Sequence, residues 1–183
     1  MRKGYRKEVS GMTKSTKKSV KKIFKRKDWV VYPAHGVGRV IGLEEQEIAG
    51  TKLELYVVEF EREKMILRVP LDKVEPLGMR RLSTKDEMGA VVKTLKGKAK
   101  VKRTMWSRRA QEYTEKLNSG SPVSVAEVLR DLHRRSDQPE QSYSERQLYE
   151  AALDRLAREF AAVEKIEHEA AEQRIEDILL KAA

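Results

Sequence analysis

From Gly89 to Gln111 the chain carries eight Lys and Arg residues and not one Asp or Glu, and Trp106 stands within that run. Such a segment is suited to neutralising phosphates, because each cation that displaces a condensed counterion adds affinity that is independent of sequence and falls steeply with salt. Lys102, Arg103, Arg108 and Arg109 lie nearest the indole in sequence. Two readings of Trp106 stand side by side. It falls on a helical stripe with Ala110, Tyr113 and Leu117, which makes it core. At the first turn of a helix it can equally project past a bundle and meet a base step while the arginines hold phosphates. Arg108 points away from the stripe and Arg109 flanks it.

Other chemistries do not assemble. His35, His133 and His168 fall in a turn, on a basic helix and in an acidic helix, without the convergent ligands a zinc site takes. Gly36-Val37-Gly38 and Lys96-Gly97-Lys98 lack the spacing of a phosphate-cradling loop. Glu44, Glu45 and Glu47 lie on an exposed strand with nothing around them to raise a carboxyl pKa for acid catalysis. The expectation is a protein that binds, with no metal, no cofactor and no catalytic site.

The elements that must position these residues change character along the chain. Residues 1–27 hold twelve Lys/Arg against one Glu and few aliphatics, and read as a disordered basic tail. From Asp28 short strands follow one another: Trp29 to Tyr32, a turn at Pro33-Ala34-His35-Gly36, Val37 to Ile48, a hairpin turn at Ala49-Gly50, and Leu53 to Phe60. In that last strand the apolar phase slips between Val57 and Val58, which suggests a bulge. A further strand sets Met65, Leu67 and Val69 on one face against Ile66 and Arg68 on the other.

Past Pro76-Leu77-Gly78 the period becomes helical. Thr84 with Glu87, Ser124 with Glu127 and Ser144 with Gln147 have the spacing of capping boxes, with Val123/Val128 and Tyr143/Leu148 as hydrophobic staples for the last two. The fold class is therefore α+β: a small Tudor/SH3-like antiparallel β barrel over residues 28–82, then an all-helical bundle over residues 83–183.

The net charge of +10 is unevenly spread. Residues 28–88 carry nine Lys/Arg against twelve Asp/Glu, residues 89–135 twelve against four, and residues 136–183 six against twelve. That asymmetry points to polyanion contacts at the tail and at the basic helices. The chain has no cysteine, no apolar run of membrane-spanning length and no secretory signal pattern, and a cytoplasmic, soluble protein is expected.

Four stretches carry a resemblance. Val30-Val31-Tyr32-Pro33-Ala34-His35-Gly36-Val37-Gly38, Leu67-Arg68-Val69-Pro70, Trp106-Ser107-Arg108-Arg109 and Ala126-Glu127-Val128-Leu129-Arg130-Asp131-Leu132 occur in the order seen in the CarD/CdnL family of bacterial transcription regulators. Lys102 to Trp106 and Tyr143 to Arg158 look most like its alphaproteobacterial branch. The resemblance implies a Tudor-like domain that binds the β subunit of RNA polymerase, with Arg68 at the interface beside Ile66. It also implies a helical domain at the upstream edge of the transcription bubble, where Trp106 wedges into the minor groove of promoter DNA with little sequence specificity. Arg108 and Arg109 match the basic pair after the family's tryptophan, with Lys102 and Arg103 before it. Gln46 stands where mycobacterial members carry an interface arginine, and Met105 where they carry an asparagine. The expected result is a monomer that stabilises the open promoter complex.

Two rival readings remain. An RNA-binding or ribosome-associated factor would use the barrel and basic tail on RNA and ignore polymerase. A free-standing architectural protein would bind DNA tightly alone, which the mildly acidic barrel argues against.

Overall fold

The computed structural model describes residues 22–135 and 137–182. Five antiparallel strands, β1 (Trp29–Tyr32), β2 (Gly36–Ile48), β3 (Thr51–Phe60), β4 (Met65–Pro70) and β5 (Arg80–Arg81), form one sheet in the order β4-β3-β2-β1-β5. Five helices follow: α1 (Lys85–Leu95), α2 (Trp106–Asn118), α3 (Pro122–Leu132), α4 (Tyr143–Glu164) and α5 (His168–Ala182).

The sheet curls around Val30, Val40, Tyr56, Val58, Phe60, Val69, Leu71, Val74 and Met79. Ala49 and Gly50 both have positive φ, the geometry that matches a two-residue turn to the twist of its strands. The slipped phase in β3 has a different cause from the one expected. Leu55, Tyr56, Val57 and Val58 are all buried, so β3 is covered on both faces, and the register irregularity lies on β2 between Val40 and Gly42. Gly38 has no room for a side chain: a Cβ there would sit 2.7 Å from Phe60 Cε1.

The boundary of the tail needs correcting. Phe24 is only 3% exposed and packs edge-on to Tyr56 within the barrel core, with ring centroids 5.4 Å apart. The backbone N–H groups of Ile23 and Phe24 both donate to Tyr56 Oη, at 2.9 and 3.1 Å. One aromatic ring with a paired backbone outweighs the lysines around it, so the ordered barrel includes residues 22–27. The rest of the expected tail, residues 1–21, lies outside the described residues.

The helices close on a second core that includes Val91, Leu95, Tyr113, Leu117, Leu129, Leu132, Leu156, Phe160 and Ile175. The Thr84–Glu87 capping box is present as expected. The other two helix starts are displaced. Ser121 caps α3, with Pro122 at the first helical position where its missing N–H costs nothing. Ser142 caps α4, with Glu145 completing the box, because a carboxylate at N3 is a stronger acceptor than the glutamine that Ser144 would have recruited. Tyr143 is then no staple but an exposed residue of the first turn.

Barrel and bundle meet along a polar seam. Arg80 of β5 donates to Glu159 of α4 and, through Nε, to the carbonyl of Gly120 between α2 and α3. Arg158 donates to the carbonyl of His35, and Arg62 pairs with Asp154 at 3.2 Å.

Candidate nucleic-acid interface and docking face

Trp106 opens α2, preceded by Met105 at the cap position, whose side chain makes no capping bond. The indole is half-buried against the bundle core, and its centroid lies 6.4 Å from that of Tyr113. Its Nε1–H donates to Ser144 Oγ at 2.9 Å. The Arg109 guanidinium lies over the ring, 5.4 Å from its centroid. The ring thus packs against the bundle core yet stays partly at the surface. The Ser144–Gln147 spacing alone makes Ser144 a candidate helix cap. Because Ser142 takes that role, the Ser144 hydroxyl is free to fix the indole, and the competing Ser142–Glu145 spacing was the signal for it.

The cations around the ring differ in their freedom. Arg103 and Arg108 are exposed. Lys102 is exposed but bonded to Glu112 at 2.7 Å, and that hydrogen bond is the main reason the Glu112 carboxyl sits below its ordinary value. Arg109 is half-buried, its guanidinium over the ring of Trp106. The linker between α1 and α2 is tied down at Lys100, whose backbone N–H donates to Asp131 Oδ1, itself paired with Arg130. At the start of α4, burial pushes the Glu145 carboxyl up, but hydrogen bonds from Ser142 and the charge of Arg134 outweigh it and hold the group below its usual range. The start of α4 is thereby tied to the segment after α3 through Arg134, and the Trp106–Ser144 bond joins it to α2.

The second set of sequence-selected residues lies on the barrel. The register pairs Gln46 with Leu53, Val57 with Arg68 and Glu59 with Ile66, so Gln46, Ile66 and Arg68 share the sheet face opposite Tyr56 and Val69. Ile66 and Arg68 are exposed and Gln46 partly so. Arg68 Nε donates to Glu44 at 2.8 Å across that face. The barrel thus presents an exposed isoleucine beside an arginine on one face.

His168, read as isolated in sequence, lies with Asp154 and Glu172, the three ligand atoms falling within 4.8 Å of one another. Asp154 is already engaged by Arg62 and Arg158, at 3.2 and 2.8 Å. The group is part of the charged seam between barrel and bundle. No helix among the described residues is long and apolar enough to cross a membrane.

The fold is thus a Tudor-like barrel clamped to a helical bundle. Comparison with known proteins gives its family. The family described as "CarD-like/TRCF RID domain" matches residues 24–83, beginning at the phenylalanine that enters the barrel, and the family described as "CarD, C-terminal domain" matches residues 90–176. The chain belongs to the CarD/CdnL family of transcription regulators. It is 25% identical over 144 residues, 79% of this chain and 94% of the other, to "Putative transcription factor YdeB" of Bacillus subtilis (strain 168). It is also similar to the solution structure of the 72-residue N-terminal domain of Myxococcus xanthus CarD, at 37% identity over 31% of this chain and 76% of that one, with a TM-score of 0.28. Transcription regulation is its function class, and the membership points to a regulator without catalytic activity.

Proposed function

We propose that this protein docks on the β subunit of RNA polymerase through the barrel face of Gln46, Ile66 and Arg68, and holds promoter DNA at the upstream bubble edge through the bundle. The barrel of residues 28–82, extended by residues 22–27, is the docking module, and the bundle of residues 83–183 is the DNA module. Trp106 enters the minor groove, and Arg108, Arg109, Lys102 and Arg103 neutralise the phosphates on either side. The protein acts in the cytoplasm as a monomer. The reading is carried by one observation, the half-buried indole fixed by Ser144 and covered by Arg109 at the start of a helix in an acid-free segment. A ring held in that way is pre-organised, so little ordering entropy opposes its insertion.

The mechanism is one of linkage. A protein that binds the open complex better than the closed one shifts the equilibrium by the ratio of its affinities, and equal binding shifts nothing. Minor-groove readout is degenerate, so position comes from the polymerase contact, and the wedge adds energy only where a step is already distorted. The test is the half-life of the promoter open complex with and without the protein, beside a polymerase pull-down from nuclease-treated lysate. Unchanged half-life with no polymerase recovered would refute the proposal.

A further inference from the structure

The two most exposed large apolar side chains among the described residues are Met105, at 78%, and Tyr143, at 77%. They flank a single hydrogen bond. Met105 precedes Trp106 and Tyr143 precedes Ser144, and Trp106 Nε1–H donates to Ser144 Oγ. Isolated exposed apolar residues are ordinary on protein surfaces, but these two are the chain neighbours of residues that are hydrogen-bonded to each other, which brings their backbones close.

Both are held in place. The Met105 carbonyl accepts the Arg109 N–H at 3.2 Å, which fixes the backbone beneath the thioether. Tyr143 Oη accepts from Gln147 Nε2 at 2.7 Å, which anchors the ring on the first turn of α4. Neither side chain packs in the bundle core or makes a capping bond. Little of either side chain is thus used by the fold, and a binding partner is a physical reason for their exposure.

The surroundings say which partner. Lys102, Arg103 and Arg108 are exposed beside Met105, and Arg146 is exposed one turn beyond Tyr143. Exposed apolar side chains with exposed cations close by in the chain complement a duplex, whose phosphates flank a stack of bases. Proteins that open a minor groove insert side chains such as Met, Leu and Phe, and aromatic rings stack on bases that have lost a neighbour.

We infer that Met105 and Tyr143 are DNA-contacting residues that make, with Trp106 between them, a three-residue apolar tip at the unstacked step. This rests on the DNA-contact reading proposed above and extends it to two side chains outside the tryptophan and its basic neighbours. Met105 enters the step beside the indole, and Tyr143 stacks on the base the step exposes.

The experiment uses the full chain with RNA polymerase and one promoter, and reads open-complex half-life at one salt concentration. Met105→Ala and Tyr143→Ala should each shorten it about fivefold, the effect of losing one stacking contact, while circular dichroism melting stays at the parent value. Met105→Leu should restore the parent half-life. Leu180→Ala, which removes a side chain 61% exposed on α5, should change nothing. Parent half-lives for both alanine variants, with Trp106→Ala still shortening the complex, would overturn the inference and leave the DNA reading standing. If Trp106→Ala and Arg108→Ala are also silent, the DNA reading falls and the tip with it. Equal loss of polymerase binding without DNA would make the tip a protein contact and overturn the inference.

Discussion

Arg80 and Glu159, 79 residues apart in sequence, are joined by two parallel hydrogen bonds of 2.7 and 2.8 Å across the seam between barrel and bundle. The Glu159 side chain is 5% exposed and accepts also from the backbone N–H and hydroxyl of Ser83. Breaking a buried pair from one side leaves the other charge without compensation. Glu159→Ala should cost about 3 kcal/mol, the low end for such pairs because Arg80 keeps some water, and chemical denaturation is the measurement. Glu159→Gln, which keeps the shape, should cost less.

Phe24 supplies a second test, since lysine-rich composition argues for disorder where the ring is in fact core. Phe24→Ala should cost about 3 to 5 kcal/mol of barrel stability, as truncation of buried aromatics does. A melting temperature equal to the parent's would show that the ring is not part of the fold.

Arg68 is paired only at the surface, with Glu44, and such pairs contribute at most about 1 kcal/mol. Arg68→Glu should therefore leave the circular dichroism spectrum intact while weakening recovery of polymerase. Loss of the fold would reassign Arg68 to structure, and intact recovery would remove it from the docking face.

Trp106 and Ser144 are separable. Because the indole is only half-buried, Trp106→Ala should cost about 1 to 2 kcal/mol of stability, less than full burial would imply, and shorten open-complex lifetime. Ser144→Ala leaves the ring in place but frees its N–H, and should cost about 1 kcal/mol or less, the net value of one hydrogen bond. Its effect on lifetime should be the smaller of the two.

His133 adds a pH dependence. Burial holds its imidazole below the ordinary value of about 6.5. Between the depressed folded value and the unfolded one, the unfolded chain binds more protons, so stability rises with pH there. The contribution is complete above about pH 6.5 and is lost as pH falls through the folded value. His133→Gln should flatten the stability profile in that window. Glu145, also held low, acts in the same direction but only below about pH 4.5, so the two are resolved by pH.

What could be read ahead of the structure was local. Alternation gave the core face of β4, Ala49-Gly50 marked the hairpin between β2 and β3, and Thr84 with Glu87 marked the start of α1. What escaped depended on partners far along the chain. Phe24 looks solvated until Tyr56 is seen 32 residues away, and Arg80 looks like any surface arginine until Glu159 is placed against it. Ser142 and Ser144 compete within three residues, and only the choice of cap shows which hydroxyl is left for the indole. Gln46, Ile66 and Arg68 share a face because the alternation of β4 extends through the register to β2.

Arg80 stitches the last strand of the barrel to two places in the bundle at once, α4 at Glu159 and the turn at Gly120. A joint fastened at two points resists swivelling about either. The span from the Arg68 face to the Trp106 tip is thus set by the protein as in a caliper with its jaws locked. On the proposed reading, with one jaw seated on polymerase, any mismatch in spacing would be taken up by the DNA that the other jaw grips, because a double helix is the softer of the two bodies.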